Sequence, residues 1–150
     1  MTCDAVIKEY ELIYLTYESF NQHALALKGW SVTIGLATIL AVYARPRTRA
    51  GAMTMLFAAL SALPFWITDA VWKSYQNAYV PRIKALEENI ACAADGEIDF
   101  NIYSSWRPNW GEFDWLGLIF KANVMMPHVF VLALGCMAFW LYCVDLKRSQ

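Results

Sequence analysis

Lys28, Asp69 and His128 stand inside stretches that are otherwise apolar, and His23 lies just outside one of them. An ionisable side chain within a membrane-spanning stretch is costly, and for that reason it marks a candidate functional site. Two chemistries fit this set. A Lys28–Asp69 ion pair with a hydrogen-bonded His128 would lock three helices together. The same groups, with His23, would also serve a proton or ion pathway. Haem ligation by His23 and His128 would need both rings on facing helices. No other pattern suggests enzymatic chemistry. The chain has no nucleophile-with-base arrangement, no Gly-rich phosphate loop and no metal-ligand spacing. The expectation is therefore a protein that is not an enzyme, with no catalytic residues, no metal and no cofactor.

The elements that position these groups follow from composition and periodicity. Of 150 residues, 59% are hydrophobic and 17% charged, against about 45–50% and about 25% in an ordinary soluble domain. These values disfavour a soluble enzyme, a disordered chain and a secreted disulfide scaffold, and favour a small integral membrane protein. The net charge of −1 gives no reason to expect nucleic acid. A membrane-crossing helix needs about 20 mostly apolar residues. Three stretches meet this, at about 24–44, 50–72 and 124–144. The acidic, half-polar segment before the first span is unlike a cleavable signal, which begins basic.

Val6, Tyr10, Ile13, Tyr17, Phe20, Ala24 and Leu27 recur in steps of four and three, the seam of two packed helices. Trp72, Tyr75, Tyr79, Ile83, Leu86 and Ile90 form a matching stripe. The turn at 45–49 makes the two arms antiparallel, so residues equidistant from it should meet. Val6 then faces Ile90, Tyr10 faces Leu86, Ile13 faces Ile83 and Tyr17 faces Tyr79. The same register levels Lys8 with Glu87 and Glu11 with Lys84. An arm of about 43 residues at about 1.5 Å per residue is roughly 65 Å long, while the hydrocarbon core is about 30 Å thick. The expected fold is all-α: three transmembrane helices, the first two forming a long antiparallel hairpin that projects from the bilayer. Its parts are a hairpin over 1–92 with stalk segments 3–23 and 73–92, a Trp-rich segment over 93–123, and a third span with a short basic tail over 124–150. Pro81 is the point where the stalk should kink, and Pro64 and Pro127 should bend their helices.

The equidistance rule also brings Cys3 and Cys92 together at the stalk tip, as either a disulfide or two free thiols. Cys136 and Cys143 are seven apart, as packing residues on one face of the third span would be. Ser31 and Gly35, and Ala58 and Ala62, are four apart, which lets helix backbones approach closely. Trp106, Trp110, Phe113 and Trp115, mixed with charges, suit anchoring in the headgroup region or an aromatic pocket, and 115–121 reads as a short interfacial helix. Arg45, Arg47 and Arg49, with Lys147 and Arg148, favour a cytoplasmic turn and C-terminus and an external N-terminus. Lys73, Arg82, Lys84, Arg107 and Lys121 lie on the other side, so the orientation rests on local charge density.

The run Lys28-Gly29-Trp30-Ser31-Val32-Thr33, then Phe65-Trp66-Ile67-Thr68-Asp69-Ala70-Val71-Trp72-Lys73-Ser74-Tyr75-Gln76, with Tyr79, Arg82, Ile83 and Glu87, resembles a group of small bacterial integral membrane proteins with no assigned activity. The resemblance covers about residues 5–90 and implies the bacterial inner membrane. More loosely, the hairpin resembles two-span membrane effectors of bacterial defence systems, which implies oligomerisation and membrane breach. The functional expectation is a non-enzymatic membrane protein acting by association with itself or with other membrane subunits in the lipid bilayer. The alternatives are an oligomeric pore and a redox or haem-anchor subunit.

Overall fold

The computed structural model describes residues 3–89, 101–112 and 114–148. Among these, every regular element is helical. Helix α1 spans Cys3–Tyr43, α2 Arg49–Leu60, α3 Ala62–Asn77 and α4 Val80–Asn89. Helix α5 (Ile102–Trp106) passes into a 3-10 turn at Arg107–Asn109, followed by α6 (Asp114–Leu118), α7 (Ala122–Met125) and α8 (His128–Arg148). Three helical runs are long and apolar enough to cross a membrane: Asp4–Tyr43, Arg49–Glu88 and His128–Arg148.

Proline placement sets the breaks. Pro64 lacks the N–H that would bond to the Leu60 carbonyl, and α2 ends at Leu60. Pro81 lacks the N–H that would bond to the Asn77 carbonyl, and α3 ends at Asn77. Both prolines fall in the first turn of the next helix, where a missing N–H is tolerated. Pro127 acts on the residue before it, which it disfavours from helical geometry. Met126 is extended (φ −82°, ψ 135°). The third long helix therefore begins at His128 rather than near 124, and α7 precedes it as a separate turn. At the arginine turn, Thr48 is extended (φ −137°, ψ 157°) and its hydroxyl accepts from Gly51 N at 3.0 Å, an N-cap that starts α2.

Two apolar clusters hold the helices together. Ile39, Ala52, Met55, Ala58 and Tyr142 join α1, α2 and α8, with Cys143 packed against them. Val6, Ile13 and Leu86 join α1 and α4, flanked by Tyr10, Tyr79, Ile83 and Ile102. The second cluster contains the tip-ward part of the expected seam (Val6, Tyr10, Ile13, Tyr79, Ile83 and Leu86); Ile90 lies outside the described residues.

The charge pairs differ from the simple register. Lys8 Nζ contacts Glu11 at 3.3 Å on its own helix, where residues three apart are neighbours. Glu87 instead accepts from the Tyr10 hydroxyl at 3.2 Å. The cysteines of the third helix also separate: Cys143 is half-buried, while Cys136 is exposed. Cys92 lies outside the described residues, as does the Cys3 side chain.

The small residues make close approaches within the chain. A Cβ built at Gly35 would stand 2.5 Å from Val131 Cγ1. Ala58 and Ala62 are buried, and so is Ser31. Gly135, unremarkable in the sequence, packs directly on Ala59.

Candidate functional site

Asp69, 1% exposed on α3, is the centre of a buried polar network. Lys28 Nζ of α1 lies 3.0 Å from its Oδ2. His128 Nε2 of α8 lies 3.5 Å from the same oxygen. His128 Nδ1 is 2.9 Å from the Ser31 hydroxyl, so the imidazole bridges α1 and α3. Both His128 and Ser31 are fully buried. The break at Pro127 makes His128 the first residue of α8 and places it at the depth of Asp69. The Nε2 distance exceeds a regular hydrogen bond. Asp69 Oδ2 thus pairs with the Lys28 ammonium, while neither it nor His128 Nε2 has a completed hydrogen bond.

The structure brings together Lys28, Asp69 and His128, and adds Ser31, expected only as a packing residue. His23 is not part of the group. Its Nδ1 is 2.6 Å from the Ser19 carbonyl, and its ring stacks on Trp72 with centroids 5.8 Å apart. The two histidine rings thus serve separate contacts and do not face each other as a ligand pair would.

Toward the N-terminal end of α1, two uncharged amides, Gln76 and Asn21, link further polar groups. Gln76 Nε2 donates to Tyr17 O at 3.0 Å and to Asn21 Oδ1 at 2.7 Å. Asn21 Nδ2 donates to both Glu18 carboxylate oxygens at 3.2 Å. Lys73 Nζ donates to Gln76 Oε1 at 2.5 Å. Farther along, Arg82 forms a two-pronged pair with Glu9 at 2.9 and 2.8 Å, and Glu9 is fully buried. Asn101 N donates to Glu9 Oε1 at 3.3 Å, tying the segment after α4 to α1.

The Trp-rich segment packs against α3. Tyr75 stacks on Trp106 at 5.8 Å and on Trp110 at 5.2 Å, and the two indoles are 5.5 Å apart. Trp106 Nε1 donates to Tyr75 O at 3.1 Å. Trp66 on α3 donates to Ile119 O at 2.9 Å, a second fastening. Trp115 is half-buried in α6, and Phe113 lies outside the described residues.

At the opposite end Arg47 lies over the rings of Tyr43 and Tyr142, at 4.2 and 4.7 Å from their centroids. It also contacts Asp145 at 3.6 Å. The Tyr142 hydroxyl accepts from Thr48 N at 3.0 Å and donates to Pro46 O at 3.4 Å. Among the described residues, no group of three or more His, Cys, Asp or Glu could hold a metal ion. Compared with known proteins, the chain matches no family model, no curated protein and no solved structure.

Proposed function

We propose that this chain is a three-span integral membrane protein that acts by association, as a homo-oligomer or as a small subunit of a membrane complex. In this reading α1 and the run α2–α4 form an antiparallel hairpin whose far part stands clear of the bilayer. The contacts Lys28–Asp69, Asn21–Gln76 and Tyr10–Glu87 support that hairpin, since one partner's number falls as the other's rises. The aromatic stack on Tyr75 then lies near the headgroup level. The resemblance in the first two arms supports a bacterial inner-membrane location.

The observation that carries association is apolar exposure in two places. Within the spans, Leu25, Trp30, Leu40, Phe57 and Trp140 face outward, as lipid contact requires. Within the stalk, Ile7, Leu12, Tyr14 and Leu15 are also exposed. A helix of 41 residues outruns the hydrocarbon core by roughly half its length. Lipid therefore does not cover this second set, and exposed apolar side chains beyond the bilayer are available for association. Chemical cross-linking in native membranes, followed by mass determination in detergent, tests the reading. A defined oligomer or a stoichiometric partner is the expected result. An inert monomer with no co-purifying subunit counts against it.

A further inference from the structure

An open cleft of about 380 Å³ lies between α1, α3 and α7, with members of the polar network in its wall. Glu18, Leu25, Lys28, Asp69, Trp72 and Lys73 line it. Lys28 and Asp69 neutralise each other, which leaves one cation and one anion facing the cleft. Lys73 donates to the neutral Gln76, and among the described residues no carboxylate stands within ion-pair distance of it. Among the described residues, Glu18 accepts from the neutral Asn21 amide and no cation stands within ion-pair distance of it. Asp69 lines the cleft while almost fully buried, and its Oδ2 has no completed hydrogen bond. The lining therefore offers a positive point, a negative point and a buried acceptor. Leu25, 68% exposed, lies at the lip, and Trp72 closes the second apolar stretch. A charged cleft at the end of an apolar surface sits where phospholipid headgroups lie.

We propose that the cleft binds the headgroup of a phospholipid carrying a primary ammonium. Its phosphate sits beside Lys73, its ammonium donates to Glu18, and an acyl chain runs over Leu25. Charge selects against a headgroup with a net negative charge, because it would leave Glu18 without a cation to balance it. Hydrogen bonding selects against a trimethylammonium group, which has no N–H to donate to the carboxylates. The assignment rests on the three-span reading above.

The test is native mass spectrometry of the detergent-purified protein, equilibrated with equal amounts of phosphatidylethanolamine, phosphatidylcholine and phosphatidylglycerol of identical acyl chains. The expected result is retention of phosphatidylethanolamine roughly tenfold over either competitor, the ratio set by about 1.4 kcal/mol. Lys73→Gln and Glu18→Gln should each remove most of that preference, while Arg49→Gln at the opposite end should leave it intact. If either cleft variant fails to fold by circular dichroism, the preference of the unaltered protein still decides. Equal retention of the three lipids overturns the proposal, and so does a preference for phosphatidylglycerol. Displacement of the bound lipid by an equal concentration of soluble glycerophosphoethanolamine overturns the lipid source in favour of a free phosphoamine; resistance to it supports the lipid. Alkaline carbonate washing separates the two readings. Protein released by the wash refutes the three-span reading, whereas protein that stays in the membrane without lipid preference refutes only this assignment.

Discussion

Asp69 is the shared acceptor of two helices other than its own, so removing it does more than delete one contact. Asp69→Asn leaves Lys28 without its counter-charge and His128 without the carboxylate on its Nε2 side. Breaking a buried ion pair from one side costs about 3–5 kcal/mol; we place this variant at the lower end because Lys28 retains some exposure. Lys28→Met with Asp69→Leu removes both charges together and should lose less than either single variant. Unfolding by SDS titration in mixed micelles checks the order of the three. Glu9 and Arg82 make the same argument outside the spans: Arg82→Lys keeps the charge but loses the two-pronged geometry, and should unfold at lower SDS than the unaltered protein. The two sites were unequally legible in the sequence. Lys28, Asp69 and His128 stand out because each is polar among apolar neighbours. Glu9 sits among other acids in a half-polar segment and reads as a solvated charge. Its burial depends on which turn of α4 faces it, and helix breaks at Ser61 and at 78–79 move that turn away from simple equidistance. Gln76 and Asn21 carry no charge and gave no signal.

Among the helices, two glycines make opposite predictions. Gly135 faces the Cβ and Cα of Ala59, and backbone cannot swing aside as a flexible side chain does. Gly135→Ala should push α8 from α2 and cost about 1–3 kcal/mol, as overpacking does. Gly29→Ala is the opposite case, because nothing lies within 4 Å of the added carbon. There the gain in helix propensity, up to about 1 kcal/mol, should raise stability. Thermal melting of both variants in one detergent checks the opposite signs. The three long helices were legible because each needs only length and apolar content. The start of α8 was not, because hydropathy runs on smoothly through Met126 and Pro127 while the backbone does not. The Trp-rich segment shows the same limit. Its composition fits a membrane interface in general, but its stacking on Tyr75 depends on three-dimensional neighbours that no spacing rule supplies.

For the whole molecule, charge placement and apolar exposure make separate claims that one set of variants can test. Arg45 and Arg49 are exposed at one end, while Arg47 is held by Tyr43, Tyr142 and Asp145. With Lys147 and Arg148 this end carries the densest positive charge, and the orientation we propose, on the positive-inside tendency, puts it in the cytoplasm. Leu15, 67% exposed, lies on the proposed stalk, which the same orientation puts on the outer side. In a background with Cys3, Cys92, Cys136 and Cys143 replaced by Ser, Leu15→Cys should react with a membrane-impermeant thiol reagent in intact cells. Arg49→Cys should react only after lysis, and the reverse pattern would invert the orientation while leaving the three spans intact. Association makes its own demand on the Leu15→Cys variant. If the stalk face of Ile7, Leu12, Tyr14 and Leu15 meets a second copy, mild oxidation should link two chains through that position and leave Arg49→Cys unlinked. A different subunit on that face would instead shield Leu15→Cys from the reagent without producing the linked pair. A thiol that is both freely labelled and never linked would mean the apolar face is bare, which removes the observation on which the associative reading stands.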